Sequence, residues 1–305
     1  MTTQYQTISF LKRRFAEVGV RLKSRHGQNF LTDLNLLRLL AETADVSAED
    51  VVLEVGTGTG ALTALIAERA AAVVSVEIDP QLHQLASEEL IDFDNVTLLQ
   101  HDALEGKHTL DAEMMATVAA RLAEQPERRF KLVANLPYSV ATPLIANLLA
   151  GSLVPETMTI TIQRELADRI VARPCTKDYG ALSVWVQSQC QVQLVRLMPP
   201  TAFWPRPKVT SAIVQIRLEP ERREKIADRD FFHAFLRTLF LHRRKSLRAA
   251  ILSGWKSALD KPAVDALIAR VGLESSIRAE QLDVETLLRL GSEMRAEVEQ
   301  VGLRS

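Results

Sequence analysis

Cysteine, long apolar runs and net charge are all scarce in this chain, and each scarcity excludes something. Cys175 and Cys190 are the only two cysteines. They cannot build a disulfide framework or a zinc knuckle, so a reducing, cytoplasmic setting is expected. None of the six histidines has a Cys or His partner at metal-ligand spacing, so no metal is expected. No apolar stretch approaches the roughly 18 residues of a membrane span, and no signal-peptide core opens the sequence. Internal repeats and low-complexity tracts are also missing. The formal charge is −1, from 37 Lys+Arg against 38 Asp+Glu. As an average, that offers little to a polyanion.

The distribution of charge is different. Residues 1–28 carry Lys12, Arg13, Arg14, Arg21, Lys23 and Arg25 against Glu17 alone, a net +5. Residues 203–248 hold twelve Lys and Arg against five acids, a net +7, which leaves −13 for the rest. An acidic body bearing two basic surfaces suits contact with a structured nucleic acid. The first 25 residues are expected to be a basic N-terminal arm. Phe10, Leu11, Phe15 and Val18 could form one face of a short helix there, and an Arg-rich, acid-poor start also has the composition of an organelle-targeting segment.

With 305 residues, 47% of them hydrophobic, the chain can hold one large domain or two unequal ones around a sizeable core. A helix is expected over 33–44 with Asp33 as its N-cap, then a buried strand over 51–55. A helix over 61–71 and a strand over 73–77 follow, and Asp79-Pro80 starts another helix, with proline where a missing N–H costs nothing. Residues 96–100 and 131–134 read as further strands. Such alternation predicts a parallel, doubly wound sheet. Residues 105–130, polar and helix-prone, break the rhythm and read as an insertion over the sheet edge. Residues 157–163 and 209–217 alternate with period two and are expected as late strands, antiparallel at the sheet's end. From about residue 220 the period turns helical, with helices over 231–241, 247–255, 262–271 and 284–299. Phe231, Phe235, Leu236 and Leu239 are read as helical core.

Gly56-Thr57-Gly58-Thr59-Gly60 follows the first buried strand and opens a helix. Glycines there permit a tight turn and a close ligand approach, and the helix N-terminus favours an anion. With Ala61 the run even satisfies a dinucleotide fingerprint. Glu77, 21 residues after Gly56 and at the end of the next strand, can accept both ribose hydroxyls of an adenine nucleoside. Either NAD or S-adenosylmethionine supplies one. Three features favour the methyl donor. Some 50 residues precede the first strand, Asp102 ends the third strand where it can accept from an adenine amino group, and the fourth strand ends in Asn135-Leu136-Pro137-Tyr138, a turn with no role in hydride transfer.

That turn suits alkylation of an adenine amino group. Its nitrogen is a poor nucleophile because the lone pair is delocalised into the ring. Acceptors that hold the amino hydrogens and favour a pyramidal nitrogen would help, and the Asn135 side-chain oxygen and Leu136 carbonyl qualify. Pro137 fixes the turn and removes a competing N–H. Tyr138 offers a ring on which a base can stack. A neutral Asn is compatible with methylating the same nitrogen twice.

These residues, with Gln28-Asn29-Phe30-Leu31, Phe203-Trp204-Pro205-Arg206-Pro207-Lys208-Val209 and Arg243-Arg244-Lys245-Ser246-Leu247-Arg248, resemble the KsgA family of small-subunit ribosomal RNA adenine dimethyltransferases over residues 22 to 290. The resemblance implies a Rossmann-like α/β domain that binds S-adenosylmethionine over 26–222, followed by a smaller all-helical, rRNA-contacting domain over 223–305. It implies that Asn29 and Leu31 close over the methionine end of the cofactor, with Gly56 and Gly58 beneath. Glu77 would hold the ribose, Asp102 the cofactor adenine and Asn135 the reacting amino group, while Phe203 would stack on a flipped adenine opposite Tyr138. Arg206, Lys208, Arg243, Arg244, Lys245 and Arg248 would contact RNA. Members methylate two adjacent adenosines twice each, in a hairpin loop near the 3′ end of small-subunit rRNA within a late 30S precursor. A monomer is expected. Thr57, Ser139 and His242 depart from the family's common Pro, Asn and Gln, and residues 105–130 are longer than usual.

Two other readings remain at this stage. A large-subunit rRNA adenine dimethylase of the antibiotic-resistance type shares the fold and the Asn-x-Pro-Tyr logic; the stretch from Phe203 to Val209 and the long helical domain favour the small subunit. A non-catalytic RNA-binding assembly factor could use the same scaffold, but an intact set of Gly56, Glu77, Asp102, Asn135 and Tyr138 opposes it.

Overall fold

The structure is a computed structural model that describes residues 7–19, 28–107, 109–256 and 258–302. The chain forms two compact units, Met1–Ala167 with Gln193–Arg217, and Asp168–Val192 with Leu218–Ser305.

The first unit opens on α1 (Ile8–Val18), β1 (Phe30–Leu31) and α2 (Leu34–Thr43). It continues through β2 (Asp50–Val55), α3 (Ala61–Ala67), β3 (Ala72–Val76), α4 (Pro80–Glu89) and β4 (Val96–Leu99). The hairpin of β5 (Leu104–Gly106) and β6 (Thr109–Leu110) precedes α5 (Ala112–Ala123), β7 (Arg129–Asn135), α6 (Tyr138–Ala150) and β8 (Thr157–Gln163). The last strands are β9 (Cys190–Met198), in this unit from Gln193 on, β10 (Phe203–Trp204) and β11 (Ser211–Leu218), in this unit as far as Arg217. Helix starts follow local chemistry. Asp33 Oδ1 accepts from the N–H groups of Asn35 (3.0 Å) and Leu36 (3.2 Å), and Asp79 Oδ1 from Gln81 (3.0 Å) and Leu82 (3.4 Å), with Pro80 in the first turn.

The main sheet runs β4-β3-β2-β7-β8-β11-β9. From β4 to β8 all neighbours are parallel, and β11 runs antiparallel to β8. The central strand β2 is buried along its whole length, as a strand covered by helices on both faces must be. β1 and β10 form a separate two-stranded ribbon that sets Phe30 opposite Trp204 and Leu31 opposite Phe203.

Three expectations change here. Residues 105–130 are no insertion over the edge: α5 is the crossover that parallel β4 and β7 require, and it packs on β2, β3 and β7 in mid-sheet. Its buried stripe is Met114 and Val118, one helical turn apart, and polar residues around them disguise it. β8 is parallel to β7, because α6 returns the chain to the same end of the sheet, and antiparallel pairing begins only at β11. β9 was not anticipated at all; it is an edge strand whose exposed Gln191, Gln193 and Arg196 break the apolar signature.

The basic N-terminus also differs from a detached arm. Residues 8–18 form α1, which buries Leu11 and Phe15 against Phe30, Leu82 and Leu85 of the same unit. Arg14 is drawn among Glu17, Glu88 and Glu89, while Lys12 and Arg13 remain exposed. Arg21, Lys23 and Arg25 lie outside the described residues.

The second unit takes in the end of α7 (Arg164–Ile170) from Asp168 on, then α8 (Ala181–Gln187), α9 (Pro220–Glu224), α10 (Arg229–Leu241), α11 (Leu247–Gly254), α12 (Lys261–Arg270) and α13 (Val284–Gly302). Its core is aromatic. Trp185 of α8 stacks on His233 at 4.6 Å and packs against Phe232, and Phe235 meets Trp255 at 5.8 Å. The buried Tyr179 donates its hydroxyl to the Leu282 carbonyl at 2.9 Å. Phe232 occupies the core position expected of Phe231, which is half-buried; Phe235, Leu236 and Leu239 are buried as read. The boundary thus falls at 217/218 rather than 222/223, and residues 168–192 join the helical unit. Tyr179 and Trp185 carry them there by packing against helices more than 40 residues later, a non-local preference that no local pattern announces.

Candidate active site

The carboxyl ends of β2, β3, β4 and β7 meet around a cavity of about 360 Å³, within the roughly 300–1,000 Å³ typical of small-molecule sites. Such a crevice at strand ends is where open α/β sheets bind ligands.

The floor is the loop after β2. Gly56, Gly58 and Gly60 have φ of +87°, +59° and +80°, which side chains of L-residues resist. Space is short as well: a Cβ on Gly56 would sit 3.3 Å from Pro137 Cδ, and one on Gly58 would sit 3.2 Å from Phe30 Cε1. The loop is tied to β3, since the Gly56 N–H donates to the Val76 carbonyl at 2.8 Å and the Gly58 N–H to Glu77 Oε2 at 2.9 Å. Glu77 Oε1 accepts from the Asp79 N–H at 2.9 Å. The Ile78 N–H donates to the carboxylate as well, which still keeps capacity for a further donor, such as a ribose hydroxyl. Only 5% of Glu77 is exposed, and burial raises its pKa while the backbone donors oppose the rise.

A second carboxylate lies beneath the loop. Glu54 in β2 is 1% exposed, and its Oε2 accepts from Thr63 Oγ1 at 2.5 Å and Ser75 Oγ at 2.6 Å. Thr57 Oγ1 lies 2.6 Å from Ser75 Oγ. The Ser75 proton goes to Glu54, so Thr57 is the donor in that contact, and the glycine loop hangs from Glu54 through two hydroxyls. Burial pushes the Glu54 carboxyl up to about 7, against the pull of those donors and with a further push from Glu77.

At the end of β7, Asn135 Nδ2 donates to the Asn29 carbonyl at 3.0 Å. A carbonyl only accepts, so this contact fixes which end of the amide is nitrogen and leaves Oδ1 to accept. The Leu136 N–H is anchored on the Thr161 carbonyl at 3.1 Å. Tyr138, half-buried at the start of α6, shares a hydrogen bond of 2.9 Å with Ser211 Oγ, and burial raises its pKa. Asp102 follows β4, with Oδ1 accepting from the Leu104 N–H at 3.0 Å. The neighbouring His101 is held by Asp111 (3.4 Å) and Glu113 (3.2 Å).

Asn29, Leu31, Gly56, Gly58, Glu77, Asp102, Asn135, Leu136, Pro137, Tyr138 and Phe203 all line this one cavity. Phe203 is 3% exposed and packs into the core with Leu31, Leu37 and Ile213, so it borders the cavity without standing free in it. Sequence reasoning singled out neither Glu54, Phe30, His101 nor Ser211 as site residues. Glu54 had a signal, a charge inside a wholly apolar strand; Ser211 had none.

The six cations expected to contact RNA divide into two kinds. Arg206 and Lys208 in the first unit, and Arg244 and Lys245 in the second, are exposed. Arg243 is half-buried, with Nη1 donating to the Lys177 carbonyl at 2.8 Å, and Arg248 Nη2 donates to Asp265 Oδ2 at 2.6 Å. Among the described residues no group of three or more His, Cys, Asp or Glu could hold a metal ion, and no helix is long and apolar enough to cross a membrane.

Comparison with known proteins bears on this site. A family model described as ribosomal RNA adenine dimethylase matches residues 19–294. A ribosomal RNA small subunit methyltransferase A of Lactiplantibacillus plantarum is 38% identical over 273 residues, covering 89% of this chain and 90% of its own. The protein of that name from Listeria innocua is 35% identical over 295 residues, covering 96% of each. Among solved structures, the 23S rRNA methyltransferase ErmE is similar with a TM-score of 0.59 and 25% identity, covering 88% of this chain and 100% of that one. A dimethyladenosine transferase from Plasmodium falciparum shares the fold with a TM-score of 0.71 at 22% identity, covering 86% and 96%. The chain belongs to the ribosomal RNA adenine dimethylase family.

Proposed function

We propose that this protein uses S-adenosylmethionine to dimethylate the exocyclic amino groups of two adjacent adenosines in a hairpin loop near the 3′ end of small-subunit rRNA, on a late 30S precursor. The observation that carries the reading is the Asn135 amide, pinned by the Asn29 carbonyl so that Oδ1 is presented as an acceptor in the cavity that also holds Glu77 and Asp102.

The cavity fits the cofactor. Gly56 and Gly58 leave a cradle that a Cβ would fill, and Glu77 is a nearly buried carboxylate with capacity for ribose hydroxyls. Glu77 would hold the ribose, Asp102 the adenine amino group, and Asn29 and Leu31 the methionine end. When bound, S-adenosylmethionine supplies an electrophilic methyl group on a positively charged sulfur.

Asn135 Oδ1 and the Leu136 carbonyl accept the two amino hydrogens of the target adenine and turn its lone pair out of conjugation. Tyr138, steadied by Ser211, stacks on the extruded base, and Phe203 forms a further aromatic wall. A strong base is unnecessary, because an alkylated adenine amino group readily gives its proton to water. The Asn side chain stays neutral throughout, so the monomethylated nitrogen, which keeps one hydrogen, can be held through that hydrogen by one of the two acceptors for a second round. Loop adenines suit this site, since extruding an unpaired base costs little. Exposed Arg206, Lys208, Arg244 and Lys245 are assigned to phosphates, with Arg243 and Arg248 bracing the loop that carries Arg244 and Lys245.

The names of the relatives at 35–38% identity support the small subunit as substrate over the large one. The test is methyl transfer from labelled S-adenosylmethionine to purified, undermethylated 30S subunits and to 23S rRNA. Label on the 30S alone is expected; label on 23S rRNA alone would overturn the substrate assignment.

A further inference from the structure

α1 lies wholly before residue 19, where the match to the family begins, yet it is fastened to the wall of the cavity. Phe15 meets the Phe30 ring edge-on, with centroids 5.1 Å apart, and approaches Trp204 at 5.6 Å. Phe30 in turn lines the cavity, and its ring is the neighbour that a Cβ on Gly58 would strike at 3.2 Å. Gly58 is the residue whose N–H holds Glu77. Phe15, Phe30, Gly58 and Glu77 thus form one contiguous line from the N-terminal helix to the carboxylate assigned to the ribose. Leu82 of α4, packed with Leu11 and Phe15, lines the same cavity.

Polar contacts lock the helix in place. Arg14 Nη2 donates to Glu88 at 3.3 Å and Glu89 at 3.1 Å, both on α4. Gln81 Nε2 donates to the carbonyl of Gly19, the left-handed residue that ends α1. A helix kept only for its cations would have no need to place its one half-buried arginine among acids of the cofactor-binding unit.

We propose that α1 is a clamp on the cofactor loop, with Phe15 a positioning residue that keeps Phe30 against Gly58 and so keeps the loop in its binding-competent shape. The proposal rests on the reading that this cavity takes S-adenosylmethionine. Without the clamp, ligand binding must itself order Phe30 and the loop, and affinity falls by the cost of that ordering. The chemical step, made by Asn135 and Leu136, is untouched.

The test uses the full-length protein and three variants: Phe15→Ala, Arg14→Glu, and Arg14→Glu combined with Glu88→Arg and Glu89→Arg. Calorimetry gives the Kd for S-adenosylmethionine, and assays on 30S subunits give KM and kcat. Phe15→Ala is expected to weaken cofactor binding about three- to tenfold, the range set by one aromatic pair. KM for the cofactor should rise with it, while kcat at saturating cofactor and affinity for 30S stay as in the wild type. Arg14→Glu should weaken cofactor binding in the same direction, and the charge-swapped variant should restore it. If Phe15→Ala does not fold, the two charge variants decide alone. Unchanged cofactor affinity in the variants, or failure of the charge swap to restore it, overturns the clamp. A wild-type protein that does not bind S-adenosylmethionine would instead overturn the functional reading beneath it.

Discussion

Replacing Glu54 by Gln tests the electrostatics under the glycine loop. Glu54 is buried, and both hydroxyl donors reach the same carboxylate oxygen, so a glutamine Oε1 can receive them equally well. The folded protein holds the Glu54 proton up to a pH of about 7, against an ordinary value of 4.5. In the unfolded chain the group loses its proton near that ordinary value. Below it both states are protonated and Glu54 costs nothing. As the pH rises towards 7 the unfolded chain ionises first, and stability falls. Above 7 the full cost applies, about 3 kcal/mol for a rise of this size. Glutamine does not ionise, so the variant lacks this slope. Unfolding free energies from urea denaturation at pH 5, 6, 7 and 8 should show the variant gaining on the wild type by roughly 2 to 3 kcal/mol from the lowest to the highest pH. Parallel curves would refute the reasoning, because they would mean that Glu54 does not change its protonation between the two states in that window.

The site supplies further expectations. Asn135→Ala should abolish methyl transfer and leave affinity for 30S subunits largely intact; equal loss of both would undermine the role assigned to Asn135. Gly58→Ala forces a side chain into a left-handed conformation against Phe30, a strain of roughly 1–2 kcal/mol, and calorimetry should show cofactor binding weakened by about tenfold. Phe203→Ala should lower unfolding free energy by roughly 3–5 kcal/mol in urea and slow methylation, with the cofactor Kd little changed; a large change in that Kd would place Phe203 beside the cofactor. Replacing both Arg244 and Lys245 by Ala should reduce the slope of log affinity for 30S RNA against log salt by about 2, because two phosphates are then no longer neutralised.

The site was more legible in the sequence than the fold around it. Gly56, Glu77 and Asp102 each follow a strand and Asn135 ends one, and in a parallel sheet the ends of adjacent strands must lie together, so their order in the chain already implied convergence. Features that depend on side chains meeting across the fold were hidden. α5 read as a polar insertion because only Met114 and Val118 of its residues are fully buried. β9 read as no strand because an edge strand tolerates Gln and Arg. The hydroxyl relay from Thr57 through Ser75 to Glu54 joins residues 18 and 21 positions apart, and neither spacing is a pattern of its own. The N-terminal charge misled in another way: summed, it suggested a basic arm, but Arg14 is spent on Glu88 and Glu89, which no local reading could foresee.

The central claim, dimethylation of small-subunit rRNA by this cavity, is tested most directly by mass spectrometry of that rRNA from cells lacking the protein. The account predicts that two adjacent dimethyladenosines near the 3′ end are absent, that the wild-type protein restores them and that Asn135→Ala does not. Finding both dimethyladenosines present without the protein would contradict it.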